Sequence, residues 1–208
     1  MTTRRTGLRE QKKQATRQAL GEAALRLALE RGPDNVRVDD IAEAAGVSPR
    51  TYNNYFSSRE QAIVSAVTAE RGTRVAAAVT ARRALGLADA VIDAIVDQYT
   101  AHSESGRELL LITTHPGLRE AFVCAATAIA DPLADAMTQR IGDAESLTAR
   151  VLAAGVTAAV RIAIEQWLRP SPSTSALVVP SGELPGLLRA ALAPLAPALD
   201  VAESRGRE

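Results

Sequence analysis

"GVSPRTYNNYF", Gly46–Phe56, decides how this 208-residue chain is read. Aromatic residues make up only 3% of the sequence, yet Tyr52, Tyr55 and Phe56 fall within this one stretch, interleaved with Arg, Thr and Asn. Ser48 is a good helix N-cap, and Pro49 suits the first helical position, where its missing N–H would have no partner anyway. A helix is therefore predicted from Pro49. On it Tyr52, Tyr55 and Phe56 stand at i, i+3 and i+4, able to anchor one face, which leaves Arg50, Thr51, Asn53 and Asn54 to look outward. Gly46 stands where a left-handed residue closes the preceding helix.

Working upstream, Val38 to Ala45 reads as a short helix with Ile41, Ala42 and Ala45 inward and Asp39, Asp40 and Glu43 outward. Those three carboxylates read as a solvated face, not a metal site. Before them, Arg9 to Arg31 carries Leu20, Ala24, Leu27 and Ala28 at i, i+4, i+7 and i+8, and Gly32-Pro33 closes it. Two helices joined by a short turn containing Gly form a helix-turn-helix unit, whose second helix can enter a major groove by its N-terminal end. The alternative is a polar helix in an ordinary bundle.

Charge favours the first reading. The chain is neutral overall, but residues 1–60 hold 11 Lys and Arg against 8 Asp and Glu. The excess lies at the start, where Arg4, Arg5, Arg9, Lys12, Lys13 and Arg17 face only Glu10. A basic arm leading into a helix is the footprint of a phosphate-binding end, or else a solvated tail.

Residues 18–62, "QALGEAALRLALERGPDNVRVDDIAEAAGVSPRTYNNYFSSREQA", resemble the N-terminal domain of the TetR/AcrR family of bacterial transcription regulators. The shared parts are a helix ending in a Gly-containing turn, the Val-Asp-Asp-Ile-Ala run, Ala-Gly-Val-Ser, aromatics ending in Phe, and a basic residue opening helix four. The resemblance implies an all-α protein of about nine helices, with a DNA-binding domain (1–58), a ligand-binding and dimerisation domain (59–200), and a short tail (201–208) read as disordered. It implies that Pro49 and Arg50 approach base edges, Arg50 with a bidentate geometry suited to guanine. Thr51, Tyr55, Arg59 and Arg37 would contact phosphates, and Ser48, Asn53 and Asn54 complete the outward polar set. The family usually has Tyr where this chain has Asn53. The partners implied are a palindromic operator in double-stranded DNA, a second copy of the chain and a small effector, with no membrane and a cytoplasmic location.

The rest of the chain reads as helix. Helix four is expected over 59–84, a fifth carries Val91, Ile92, Ile95, Val96 and Tyr99, and a short sixth holds Leu109, Leu110 and Ile112. Pro116 opens a seventh, which Pro132 is expected to bend or restart. An eighth, over 144–168, contains the small residues Ala153, Ala154, Gly155, Ala158 and Ala159, with Trp167 as anchor near its end. A loop over 170–185 leads to a last helix, its end weakened by Pro194 and Pro197. Helices five to seven hold more apolar residues than one packed stripe needs, with sparse polar groups, the composition of a ligand cavity. Val91, Ile95, Tyr99, Leu110, Thr113, Thr114, Phe122 and Thr127 are the candidate ligand residues, and a largely apolar guest is expected because no Lys or Arg lies between Arg83 and Arg107 or between Arg119 and Arg140. Dimerisation is expected through the face at 153–159 with Leu187, Leu188, Ala191 and Leu195.

Other chemistry finds little support. No metal, nucleophile or phosphate-loop motif occurs, so no catalytic residue, metal or cofactor is expected. Cys124 reads as core filler and His115, before Pro116, as a loop or cap residue. An enzyme, or a protein-binding adaptor that keeps a helix-turn-helix, is the alternative. The longest apolar run, Val151 to Val160, falls short of the roughly 18 residues of a membrane span, and the N-terminus has no apolar stretch of the secretory kind.

Overall fold

The computed structural model describes residues 3–100, 106–142, 145–169 and 183–206, and every regular element among the described residues is helical. The segments are α1 (Thr3–Arg31), α2 (Val38–Ala44), α3 (Pro49–Asn53), α4 (Arg59–Thr68), α5 (Arg71–Ala81), α6 (Leu87–Thr100), α7 (Gly106–Thr114), α8 (Pro116–Ala125), α9 (Ala130–Ile141), α10 (Ser146–Trp167), α11 (Leu184–Leu192) and α12 (Ala196–Arg205). The expected all-α architecture is therefore observed. Most of the expected 170–185 loop, the side chains of Arg4 and Arg5, and His102 lie outside the described residues.

Three of the nine expected helices are each interrupted once. Helix four breaks at Ala69–Glu70, where Glu70 takes a left-handed conformation, φ 62°. No Gly or Pro marks the place, so periodicity alone carried the helix through it. The seventh breaks after Ala125 into a 3₁₀ turn, Ala126–Ile129, upstream of Pro132. Pro132 itself sits in the first turn of α9, where its missing N–H is harmless. The last helix breaks at a 3₁₀ turn, Ala193–Leu195, and resumes as α12.

That resumption corrects the expected disordered tail. α12 runs to Arg205, and Leu199, Ala202 and Glu203 on it are buried. The Glu203 carboxylate accepts 2.9 Å bonds from Arg140 Nε and from the backbone N–H of Leu87, which opens α6. Arg140 also donates to the carbonyls of Arg82 and Leu85. A charged residue near a chain end reads as solvated in the sequence; its partners lie far away along the chain.

The chain forms two compact units. The first comprises Met1–Ala69 and Glu104–Ala125, the second Glu70–Ser103 and Ala126–Glu208. The boundary expected after residue 58 falls between α3 and α4, inside the first unit. There, Leu20, Ala24 and Leu27 of α1 are buried with Ile41 of α2, Tyr52, Phe56, Ile63 and Val64 of α4, and Leu118 and Phe122 of α8. α1 and α4 approach closely at Gly21, where a Cβ would stand 2.6 Å from Ser65 Oγ. In the second unit α10 packs on α9 and α11, α5 on α6 and α9, and α11 and α12 on α6. Trp167 is buried at the end of α10.

Among the described residues, three helical stretches, Pro116–Ile141, Ser146–Trp167 and Leu184–Arg205, reach the length and hydropathy of a membrane span, although no unbroken apolar run does. Ala supplies much of that hydropathy. The first stretch is interrupted at Ala125, and the third contains the buried, ion-paired Glu203.

Candidate nucleic-acid interface

The turn between α2 and α3 is built as its residues require. Gly46 has φ 68°, a left-handed value that residues with a Cβ adopt at a cost. Ser48 Oγ accepts the backbone N–H of Thr51 at 3.1 Å and lies 2.9 Å from the Thr51 hydroxyl, so both hydroxyls serve the N-cap of α3. α3 is fixed from below by two aromatics. Tyr52 and Phe56 are 1% and 2% exposed, with ring centroids 5.8 Å apart. The Tyr52 hydroxyl donates to the Ser58 carbonyl at 2.8 Å. Burial, with Glu60 adding to it, pushes the Tyr52 phenol up to about 12. Tyr55, the third expected anchor, is only half-buried.

Arg17 of α1 closes the far end of α3. Its guanidinium stacks over the Phe56 ring at 4.6 Å and donates to the Tyr55 carbonyl at 3.0 Å. Pro49, Arg50, Asn53 and Asn54 are exposed, Thr51 is half-buried, and Ser48 and Arg37 are exposed at the two N-caps. The backbone N–H of Arg37 bonds Asp40 Oδ2 at 3.3 Å, which orders the entry to α2.

Arg59, expected as a phosphate contact, is placed differently. Nε donates to Glu60 at 2.8 Å, one terminal nitrogen to the carbonyls of Asp34 and Val36 at 2.9 and 3.3 Å, and the other to the Asp34 carboxylate at 3.4 Å. This cation ties the α1–α2 turn to the start of α4. Burial alone would raise the Glu60 carboxyl, but the bond from Arg59, with its own N–H and Ser58, outweighs that and holds it below the usual range. Asp34 has a further partner: His115 Nε2 lies 3.0 Å from its carboxylate. The His115 carbonyl accepts the N–H groups of Leu118 and Arg119, so this residue caps α8. Sequence spacing could not show the junction, because residues 34, 59 and 115 meet only through the fold. Cys124, expected in the core, is exposed on α8.

The candidate ligand residues divide between the units. Val91, Ile95, Tyr99 and Thr127 belong to the second; Leu110, Thr113, Thr114 and Phe122 belong to the first. Val91, Ile95, Thr113 and Phe122 are buried, whereas Leu110, Thr114 and Thr127 are exposed. The Thr113 and Thr114 hydroxyls both bond the Leu110 carbonyl, at 3.1 and 2.7 Å, the common fate of a Thr one turn on in a helix. Arg71 of α5 stacks over the Tyr99 ring at 4.4 Å; burial raises the Tyr99 phenol, and Arg71 opposes that rise. A groove of about 560 Å³ in the first unit, lined by Glu22, Leu25, Arg26 and Leu29 of α1 and Arg107 of α7, contains none of the candidate ligand residues. Among the described residues, no cluster of His, Cys, Asp and Glu could hold a metal ion.

Comparison with known proteins cuts across this division, because the C-terminal match includes residues 104–125 of the first unit. Residues 20–66 match the pattern of bacterial regulatory proteins of the tetR family, and residues 85–200 match that of the MftR C-terminal domain. The HTH-type transcriptional regulator TcmR of Streptomyces glaucescens is 40% identical over 63 residues, 30% of this chain and 28% of TcmR. The HTH-type transcriptional regulator BetI of Rhizobium meliloti (strain 1021) is 38% identical over 68 residues, 33% of this chain and 34% of BetI. The match thus spans about a third or less of these relatives' own lengths. The fatty acid degradation regulator FadR from Bacillus halodurans aligns at 16% identity and a TM-score of 0.42, over 87% of this chain and 94% of its own.

Proposed function

The chain belongs to the TetR family of bacterial regulatory proteins, a family of regulators and not of enzymes, and from that premise we propose that it binds a palindromic DNA operator as a repressor and leaves it when a small, largely apolar ligand binds. The observation that carries the reading is α3: two buried aromatics below, and Pro49, Arg50, Asn53 and Asn54 exposed above a capped N-terminus. In this reading Arg50 takes the bidentate role toward guanine, while Asn53 and Asn54 offer amides to adenine or phosphate. Ser48, Thr51, Tyr55 and Arg37 position the backbone. Arg59 acts through Asp34 and Glu60, holding α2 and α4 in register. The test is selection of duplexes from a randomised pool by the purified full chain. Enrichment of a two-fold symmetric sequence supports the proposal, and a pool that stays random contradicts it.

One reading head touches few base pairs, so specific binding calls for two heads about 34–36 Å apart or a multiple of that. The surface proposed for the second copy is narrower than the sequence suggested, because Ala153, Ala159 and Leu188 are core. The apolar residues that face out on α10, beside the exposed Ser146, Arg150 and Gln166, are Leu147, Val151, Ala154, Ala158 and Ile162, an i, i+4, i+7, i+11, i+15 stripe in which the three large residues are 70%, 62% and 53% exposed. An apolar stripe of this length suits an isologous contact. Ala158→Glu is expected to give monomers in sedimentation, and a variant as associated as the native chain would refute the surface.

The effector is proposed to be apolar with one polar end, recognised by Tyr99 beside Arg71, with Val91 and Ile95 among its apolar contacts. Leu110, Thr113, Thr114, Phe122 and Thr127 remain proposed ligand residues. Because α7 and α8 share a unit with the head, movement at His115 would reach Asp34 and Arg59 directly. A shift from mostly bound to mostly free requires about 5.5 kcal/mol of differential affinity between the two conformations. The cytoplasm is the compartment this role requires.

A further inference from the structure

The reading helix is short for the precision asked of it. α3 spans five residues, Pro49–Asn53, little more than one turn. A helix of this length is not stable alone, so its orientation is set by what ties it down. Two of its ties are local: the Ser48 and Thr51 hydroxyls meet at its N-cap, and the Tyr52 hydroxyl donates to the Ser58 carbonyl six residues on. Both fasten the segment to its own flanks. The buried Tyr52 and Phe56 rings hold it to the core, but apolar packing is non-directional.

Arg17 supplies a directional tie from another element. It lies on α1, 38 positions before Tyr55, and its guanidinium acts twice, stacking over the Phe56 ring at 4.6 Å and donating to the Tyr55 carbonyl at 3.0 Å. Around the end of α3 the N–H groups of Asn54, Tyr55 and Phe56 turn back to Thr51 and Tyr52. The Tyr55 carbonyl is held from outside that turn. A planar fork that stacks and donates together fixes a peptide in angle as well as in distance, which an ammonium on a flexible stem does not.

The grip falls at one end of the outward face. Asn53 and Asn54 are exposed immediately before Tyr55, whereas Arg50 stands at the other end, beside the Ser48 cap. A shift of the Tyr55 peptide therefore moves Asn53 and Asn54 most, while the N-cap bonds keep Arg50 in place.

We propose that Arg17 is a positioning residue for base reading: it holds the end of α3 so that Asn53 and Asn54 meet their base pairs, without itself touching the duplex. The inference rests on the reading of α3 as the recognition helix. An exposed Arg following a basic arm reads in the sequence as a phosphate contact. The fold directs this cation inward, onto a ring and a carbonyl.

Arg17→Gln and Arg17→Lys in the full chain test the assignment, with circular dichroism to establish that helix content is native. Affinities are measured over a KCl series for a duplex selected from a random pool by the native protein and for a duplex of mixed sequence. Both variants are expected to lose about tenfold in preference for the selected duplex, with a salt dependence near native. Pools reselected with either variant should relax at the base pairs that Asn53→Ala relaxes and keep those that Arg50→Ala relaxes. A phosphate contact gives the opposite pattern: equal losses on both duplexes and a slope flatter by about one unit for Arg17→Gln, restored by Arg17→Lys because the charge returns. That pattern, full rescue by lysine, or native preference in both variants overturns the proposal. Should glutamine cost the fold, the lysine variant decides alone, since it keeps a phosphate contact and loses the stacked fork. Failure of the reading of α3 shows separately, as an Arg50→Ala protein that keeps its full preference for the selected duplex.

Discussion

The turn region from Gly32 to Arg59 and the helical breaks of the second unit were shaped by different forces. In the first, each boundary coincides with a residue that demands it: Gly46 takes a positive φ, Ser48 and Ser58 accept N-cap bonds, and Pro49 opens α3. In the second, α5 begins after a left-handed Glu, and α12 forms around a buried carboxylate. Local chemistry writes the first kind of boundary; packing between distant segments imposes the second. The contrast matters for function, because a reading helix must hold its side chains in one geometry before DNA arrives.

Mutations should separate the two regions. The largest effect is expected at Glu203→Ala, which leaves Arg140 buried without its carboxylate and strips the Leu87 N–H; about 3–5 kcal/mol should be lost in urea unfolding. A loss near zero would restore the disordered tail and erase the contrast. Arg59→Ala removes four donor contacts at one junction and should cost about 1–3 kcal/mol of stability while leaving the salt dependence of DNA binding near native. A flattened salt slope with unchanged stability would return Arg59 to the phosphate-contact role.

Acid sharpens the same point. The Glu60 carboxyl is held low in the folded state, so its contribution is present above the ordinary Glu range and is lost as pH falls through the folded value. Arg59→Ala should reduce that acid sensitivity in equilibrium unfolding.

How much could be read beforehand follows from these particulars. Tyr52 and Phe56 are buried as expected; the helix, however, ends at Asn53, so Tyr55 and Phe56 lie past it and Tyr55 is only half-buried. Gly46, Ser48 and Pro49 placed the start of α3 to the residue, because the causes lie within a few residues of the effect. Arg50, Asn53 and Asn54 were readable as outward for the same reason. Arg59 was not: Glu60 is its neighbour in sequence, but Asp34 and Val36 reach it only through the fold. Nor was the division of the α10 apolar residues between Ala153, which is buried, and Val151, which is exposed, since Ala and Val fit either side of a helix.

Smaller effects are expected inside the head. Ser48→Ala should cost about 1 kcal/mol by freeing the Thr51 N–H. Tyr52→Phe should cost about as much, the net value of one buried hydrogen bond. Because the Tyr52 phenol is raised from about 10 in the unfolded chain to about 12, its contribution is complete below the first value and is lost as pH rises through the second. The Phe variant should be flatter than native across that alkaline window when unfolding is followed by circular dichroism.

The central claim, that the exposed face of α3 reads bases, is tested most directly by the affinity of Arg50→Ala for the selected duplex and for random DNA at one salt concentration. The account predicts a loss of about 1–3 kcal/mol on the selected duplex, with relaxed preference at one base pair and little change on random DNA. Equal losses on both duplexes, or no loss on either, would contradict it.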